Sequence, residues 1–396
     1  MDDRAAPAAV DNDLFLRLCL RSRWRPDGLR EAEKLAANGH VSWPDLCETA
    51  RAGGLAPLLH DVLRSSRFVP ETARRCLQDA YQETAIYAGL MSVELGRVLR
   101  RLEDAGLPAI VLKGAALGDT LYGNSALRPM TDLDLLLRER DIPVAIDLMT
   151  RSGYQTAGVE VRPGHMLAYE NEVALRSPGT PALAVELHWH LLDSPFYQDQ
   201  VDEGWFWDTA QPARVAETGA LVLGLEGTFL HLSAHYVLHH KAHGMRWIYD
   251  LAGLAALHGE ALDWQLLLDR AAAFKLVTSI QVVLQQLADD WNVELPPDVL
   301  RAAHALPVSD EERRVIQWLH ADQRPVVQRF WADLASMSGW RQRLPFLLAS
   351  LFPSPDYMED RYELRGRVLL PLAYPYRWVS GLREFLASSG KDNGNG

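Results

Sequence analysis

From Leu14 to about Asp104 the apolar residues recur every three to four positions, and that spacing predicts an all-helical segment of roughly 100 residues. Ser42 ahead of Trp43-Pro44 marks a capped helix start within it. The period then changes. Residues 108–112 form a short apolar run between Gly106 and Gly114, the pattern of a buried strand. A helix is predicted over 115–122, a polar turn over 123–130, a second strand over 133–137, and a helix over 142–152 that ends at Gly153. Between 154 and 191 the chain alternates and carries Gly and Pro, which predicts two or three antiparallel strands, the last over 183–189. From about Leu221 helical spacing returns, broken by Pro296-Pro297 and by the Pro-containing stretch 351–356.

These elements predict an α+β fold in three parts: a helical amino-terminal domain over 1–104, a small mixed-sheet α/β core over 105–215 and a helical carboxy-terminal domain over 216–387. Residues 1–12 and 388–396 are rich in small and polar residues and are expected to be loose tails, the second of them disordered. With 48% hydrophobic and 23% charged residues, the chain reads as a globular protein able to bury a large core. Forty Lys+Arg against 52 Asp+Glu give a net charge of −12, which disfavours nucleic acid as a partner because such a surface repels a polyanion. Cys19, Cys47 and Cys76 show no CxxC pair and are expected to be reduced. The acidic amino terminus and the lack of any long apolar run predict a cytoplasmic protein with no membrane span.

The chemistry gathers around Asp132-Leu133-Asp134. In a strand alternate side chains share a face, so Asp132 and Asp134 project together, about 7 Å apart along the backbone, while Leu133 and Leu135 point the other way. Two such carboxylates can converge on divalent cations, and Mg2+ prefers this hard oxygen environment. A strand start with solvent-facing carboxylates has the same short pattern, so the context matters. Lys113-Gly114 closes the preceding strand and opens a helix, where backbone N–H groups and the helix dipole favour phosphate. Gly114 permits close backbone approach, Lys113 supplies charge, and Arg128 offers a second cation four residues before Asp132. The spacing is not that of a Walker A loop.

The run LKGAALGDTLYGNSALRPMTDLDLLL resembles the DNA polymerase β-like nucleotidyltransferase superfamily. More closely, it is similar to a bacterial group of uncharacterised nucleotidyltransferases. WPDLCETARAGGLAPLL, ELHWHL, RWIYDLAGL and LFPSPDYM extend the likeness over much of the chain. The resemblance implies that Lys113 and Gly114 hold phosphates, that Asp132 and Asp134 hold metal, and that a later strand supplies a third carboxylate. Two features depart from the superfamily pattern: Lys-Gly stands where Gly-Ser is usual, and Gly114 lies further from Asp132.

Residues 184–190 alternate, placing Glu186, His188 and His190 on one face and Val185, Leu187 and Trp189 on the core face, so Glu186 is the candidate third carboxylate, as metal ligand or base. His231, His235, His239 and His243 recur every four residues; on a helix such steps drift round the axis and cannot all meet one ion. Packing and hydrogen bonding are the expected roles. His188, His235, Arg246 and Asp250 are candidates for a cleft wall, with Arg246 and Asp250 as a possible i,i+4 pair. The cluster Trp205-Phe206-Trp207 is expected in a core or interface.

The resulting expectation is an ATP- or other NTP-using, Mg2+- or Mn2+-dependent nucleotidyltransferase. It would move a nucleoside monophosphate to a hydroxyl or similar group of a small molecule or peptide, with release of pyrophosphate. An RNA-modifying transferase and a non-catalytic nucleotide- or partner-binding protein are the two alternatives.

Overall fold

The computed structural model describes residues 11–156, 158–320, 330, 334, 337, 339–364 and 366–389. The amino-terminal spacing resolves into five helices: α1 (Asn12–Arg21), α2 (Asp27–Ala37), α3 (Trp43–Ala52), α4 (Ala56–Leu63) and the 34-residue α5 (Glu71–Asp104). Asp11 caps α1 by accepting the Leu14 N–H. At α3 the expected cap takes another form: the Ser42 hydroxyl donates to Asp45 at 2.7 Å, and Pro44, which has no N–H to satisfy, serves in the first turn. Asn12 opens α1 and Ser388-Ser389 end the last helix; the rest of the expected tails, 1–10 and 390–396, lies outside the described residues.

The chain continues as β1 (Ile110–Val111), α6 (Lys113–Thr120), β2 (Asp132–Leu136), α7 (Ile142–Arg151), β3 (Gln155–Thr156), α8 (His165–Tyr169), β4 (Glu172–Arg176) and β5 (Ala184–His188). Two short helices, α9 (Pro195–Gln198) and α10 (Glu203–Asp208), precede β6 (Gln211–Val215) and β7 (Thr218–Val222). Then come α11 (Leu225–Ala234), α12 (Met245–His258), α13 (Trp264–Ala273), α14 (Val277–Asp289), α15 (Val299–Ala305), α16 (Asp310–His320), α17 (Trp340–Leu351), α18 (Pro355–Arg361) and α19 (Leu370–Ser389). Helices thus occupy both ends of the sequence around one mixed sheet of order β3-β4-β5-β2-β1-β7-β6, in agreement with the α+β expectation.

The β6–β7 hairpin differs from the helical spacing expected to return near Leu221. Its two central residues, Ala216 and Glu217, both have positive φ (50° and 58°), the backbone of a type I′ turn without the Asn-Gly that announces one. Asp119 holds this turn by accepting the Ala216 N–H at 2.7 Å. The hairpin delivers β7 parallel to β1, with Ile110 opposite Leu221.

Packing divides the chain into two units, Met1–Asp134 with Gly204–Val308, and Leu135–Glu203 with Ser309–Gly396. In the first, α5 packs against α3 and α4 and buries Leu77, Met91, Leu95 and Val98, while α11 is enclosed by α12, α13 and α14. In the second, β4 pairs antiparallel with β3 and β5, and Glu172 stands opposite His188. Val185 and Leu187 are fully buried on β5, as the alternation predicts. Among the described residues no helix is long and apolar enough to cross a membrane. Leu187→Ala removes a fully buried side chain, so chemical denaturation should register a loss of about 2–5 kcal/mol, the cost of a core truncation.

Candidate active site

Lys113 is the first residue of α6 and takes φ +46°, a left-handed conformation that few side chains adopt. From there its Nζ donates to Asp134 Oδ1 at 2.8 Å. Asp134 is only 3% exposed, so this is a nearly dry ion pair at the heart of the predicted site. Gly114 follows because space demands it: a β-carbon there would come within 3.2 Å of Met130 Cβ. The chain between α6 and β2 can therefore fold back over the start of the helix.

That chain carries Arg128, which is buried. Its guanidinium grips Asp250 of α12 with Nη2–Oδ2 at 2.8 Å and Nε–Oδ2 at 3.0 Å, and its Nη1 donates to the Pro129 carbonyl at 2.8 Å. Tyr122 donates its hydroxyl to the same carboxylate at 2.5 Å. Burial and the Asp250 charge both push this phenol well above its ordinary value, so it keeps its proton. Burial alone would pull the Arg128 guanidinium down, but Asp250 more than offsets it and the net shift is upward.

Asp250 therefore pairs with Arg128, and the i,i+4 pair expected with Arg246 does not form; a fully buried carboxylate takes the partner that surrounds it. Arg246 instead donates to the Pro129 carbonyl at 3.3 Å and lies over the Trp247 ring at 4.5 Å. Burial and the neighbouring Arg128 charge lower its pKa to about 10, which still leaves it cationic near neutrality. Asp132 favours the charged form of both arginines, so it lies within electrostatic reach of each.

The histidines take a form that the four-residue spacing does not announce. After α11 the backbone widens into one π-helical turn, His235–His239, and the His240 N–H reaches the His235 carbonyl at 3.2 Å. His235 then meets both neighbours: the His239 ring stacks on it at 5.0 Å, and His240 meets it edge-on with the two Nε2 atoms 3.0 Å apart, while the His240 ring packs on Trp247 at 3.7 Å. Gly244 makes room, since a β-carbon there would sit 2.5 Å from the Trp247 ring. Burial first, and then the Lys113 charge, hold His235 well below its usual value. Burial and nearby cations bring His240 down to about 4. Both rings are neutral at pH 7.

On β5, His188 is 2% exposed and lies between two carboxylates: Nδ1 is 3.1 Å from Glu172 Oε2, and Nε2 is 3.7 Å from Glu186 Oε2. Asp134, Glu186 and His188 each offer a ligand atom, all within 4.8 Å of one another. This is the only such group of three among the described residues, so the His231–His243 series forms none. Two carboxylate oxygens and an imidazole nitrogen suit a divalent cation, and the imidazole extends the choice beyond Mg2+ to transition metals such as Mn2+. Asp132 lies outside this group and accepts the Thr131 hydroxyl at 3.1 Å.

Sequence reasoning overlooked Tyr122, Glu172 and His240. Tyr122 and Glu172 join their partners only through pairing at long range, whereas the adjacent His239-His240 was a visible sign that strict four-residue steps did not describe the stretch.

Two outcomes are expected. Asp250→Asn leaves a buried guanidinium without its counter-charge and should lower stability in urea by about 3–5 kcal/mol, whereas Tyr122→Phe, which removes one hydrogen bond to a charged group, should cost about 1.5–3 kcal/mol. The folded pKa of His240 is depressed from 6.5 to about 4, so its contribution is complete above pH 6.5 and is lost as the pH falls toward 4. Thermal melts across that window should show a shallower decline for His240→Gln than for the wild type.

No curated protein matches the chain. Residues 39–291, more than half of it and including the Lys113, Arg128, Asp132, Asp134, Glu186, His188 and Asp250 positions, match the sequence model of one family. The chain belongs to the family described as uncharacterised nucleotidyltransferase.

Proposed function

We propose that this chain is a metal-dependent nucleotidyltransferase of the DNA polymerase β-like kind, moving a nucleoside monophosphate from an NTP to a hydroxyl-bearing small molecule or peptide. One observation carries the reading: Asp134 is nearly buried, has Lys113 at 2.8 Å, and belongs to a compact ligand group with Glu186 and His188. A buried carboxylate in such a group is expensive unless cations answer it. Lys113, Arg128 and Arg246 supply positive charge near Asp132 and Asp134 for a polyphosphate.

In this reading Lys113 and the Gly114 backbone hold phosphate oxygens, and the fixed Arg128 guanidinium and the less tightly held Arg246 balance the rest of the triphosphate. His235 and His240, kept neutral, add hydrogen bonds without adding charge. Asp134 and Glu186 would hold Mg2+ or Mn2+ with Asp132 beside them, and His188 would ligate it or orient Glu186. Such an ion supplies charge stabilisation for the attacking and leaving oxygens. An acceptor oxygen forms a bond to the α-phosphorus, the bond to the β-phosphate oxygen breaks, and pyrophosphate leaves. Glu186 takes the acceptor proton. The net charge of −12 favours a small molecule or peptide over RNA as acceptor.

Calorimetry with an NTP, with and without Mg2+ or Mn2+, tests the site. Asp134→Asn and Asp132→Asn should remove the metal-dependent part of the affinity, and equal binding by wild type and both variants would end the metal-site reading. Glu186→Gln should fold and bind NTP yet lose turnover by about 10²-fold or more, the scale of a lost general base.

A further inference from the structure

The second unit contains an open cavity of 590 Å³. That lies within the ~300–1,000 Å³ typical of small-molecule sites. Its wall carries four carboxylates, from Glu160, Glu170, Glu172 and Asp193, and no lysine, arginine or histidine lines it among the described residues. Val159 and Tyr169 supply apolar surface. Two of the carboxylates are already engaged. Glu160 accepts the Met166 N–H at 2.8 Å, and Glu172 faces His188 at 3.1 Å and accepts from the Asn171 side chain at 3.0 Å. No basic side chain among the described residues pairs with Glu170 or Asp193. Partial burial, and then the charges of Glu160 and Glu172, push the Glu170 carboxyl up, the response of a group with like charges near it and no cation.

The cavity also adjoins the chemistry. Glu172 lines it and touches His188, whose other ring nitrogen faces Glu186 at 3.7 Å. A ligand seated against Glu172 is therefore one imidazole away from the proposed base. We propose that this cavity is the acceptor seat and that the acceptor is cationic, carrying amine or guanidinium groups that pair with Glu170 and Asp193 while its hydroxyl lies toward Glu186. This rests on the transferase reading and narrows it from any hydroxyl-bearing acceptor to a basic small molecule or basic peptide. The apolar wall and the volume suit a short segment, and a folded basic domain would not enter.

Calorimetry on the full chain without metal or NTP tests the seat, using end-blocked tripeptides Lys-Ser-Lys, Gln-Ser-Gln and Glu-Ser-Glu at one ionic strength. Lys-Ser-Lys should bind at least about tenfold more tightly than Gln-Ser-Gln, the scale of one charge-assisted hydrogen bond, and Glu-Ser-Glu should be the weakest. Glu170→Gln and Asp193→Asn alter exposed side chains and should each remove most of that preference, whereas Glu33→Gln, exposed on α2 of the other unit, should leave it intact. Equal affinity for the lysine and glutamine peptides overturns the proposal. So does equal weakening by Glu33→Gln and Glu170→Gln, which would indicate diffuse attraction to an acidic chain. If NTP binding holds while the lysine preference fails, the cavity assignment alone is wrong. If the preference holds while the wild type binds no NTP with Mg2+ or Mn2+, the transferase reading falls and takes the acceptor role with it.

Discussion

The buried pair between Arg128 and Asp250 constrains everything around the proposed phosphate site. It ties the chain entering β2 to α12, and the carboxylate is shared with Tyr122, which follows α6. A charge so far from water is tolerable only when its partners are fixed, so the three segments have little freedom to move independently. Arg246, one turn earlier on α12, inherits its position from the same attachment. It meets a carbonyl and an indole face, and among the described residues no carboxylate is hydrogen-bonded to it. The arrangement separates two kinds of cation: Arg128, rigidly paired with Asp250, and Arg246, which is less tightly held.

The surrounding imidazoles fit the same logic. Lys113, Arg128 and Arg246 already crowd positive charge into a small volume, and further protonation at His235 or His240 would add repulsion in a dry setting. Neutral rings fill space and accept or donate hydrogen bonds without that cost. Three cations gathered at one place on a chain of net charge −12 also show why bulk charge bears on partners of large size more than on a single triphosphate.

Much of this was legible in the sequence because it depends on local alternation. The alternation at 132–137 and 184–189 was enough to put Leu133, Leu135, Val185 and Leu187 in the core, and all four are fully buried. The change of period after Gly106 marked where helices give way to the sheet. What could not be read were the partners that meet through long-range pairing. Asp250 lies four residues after Arg246, and local spacing suggested that pair, but its partner is 122 residues away. Likewise, the turn at Ala216-Glu217 carries no glycine or asparagine, so its strands were hidden by ordinary residues in a left-handed backbone that Asp119 helps to hold. Glu172 gains its meaning only from standing opposite His188.

The wide turn after α11 amounts to a helix with one residue too many. In an α-helix each residue advances the azimuth by about 100°, so a single inserted residue changes which side chain stands above the turn below. Here the widened turn lets His235 meet two neighbours of the same type, His239 by stacking and His240 edge-on, and it is His240 that also lies on Trp247. Removing the extra residue would turn His240 by about 100° relative to His235 and so disturb its contact with the indole over which Arg246 lies. The length of a five-residue turn thus acts as a phase setting for a guanidinium in another helix.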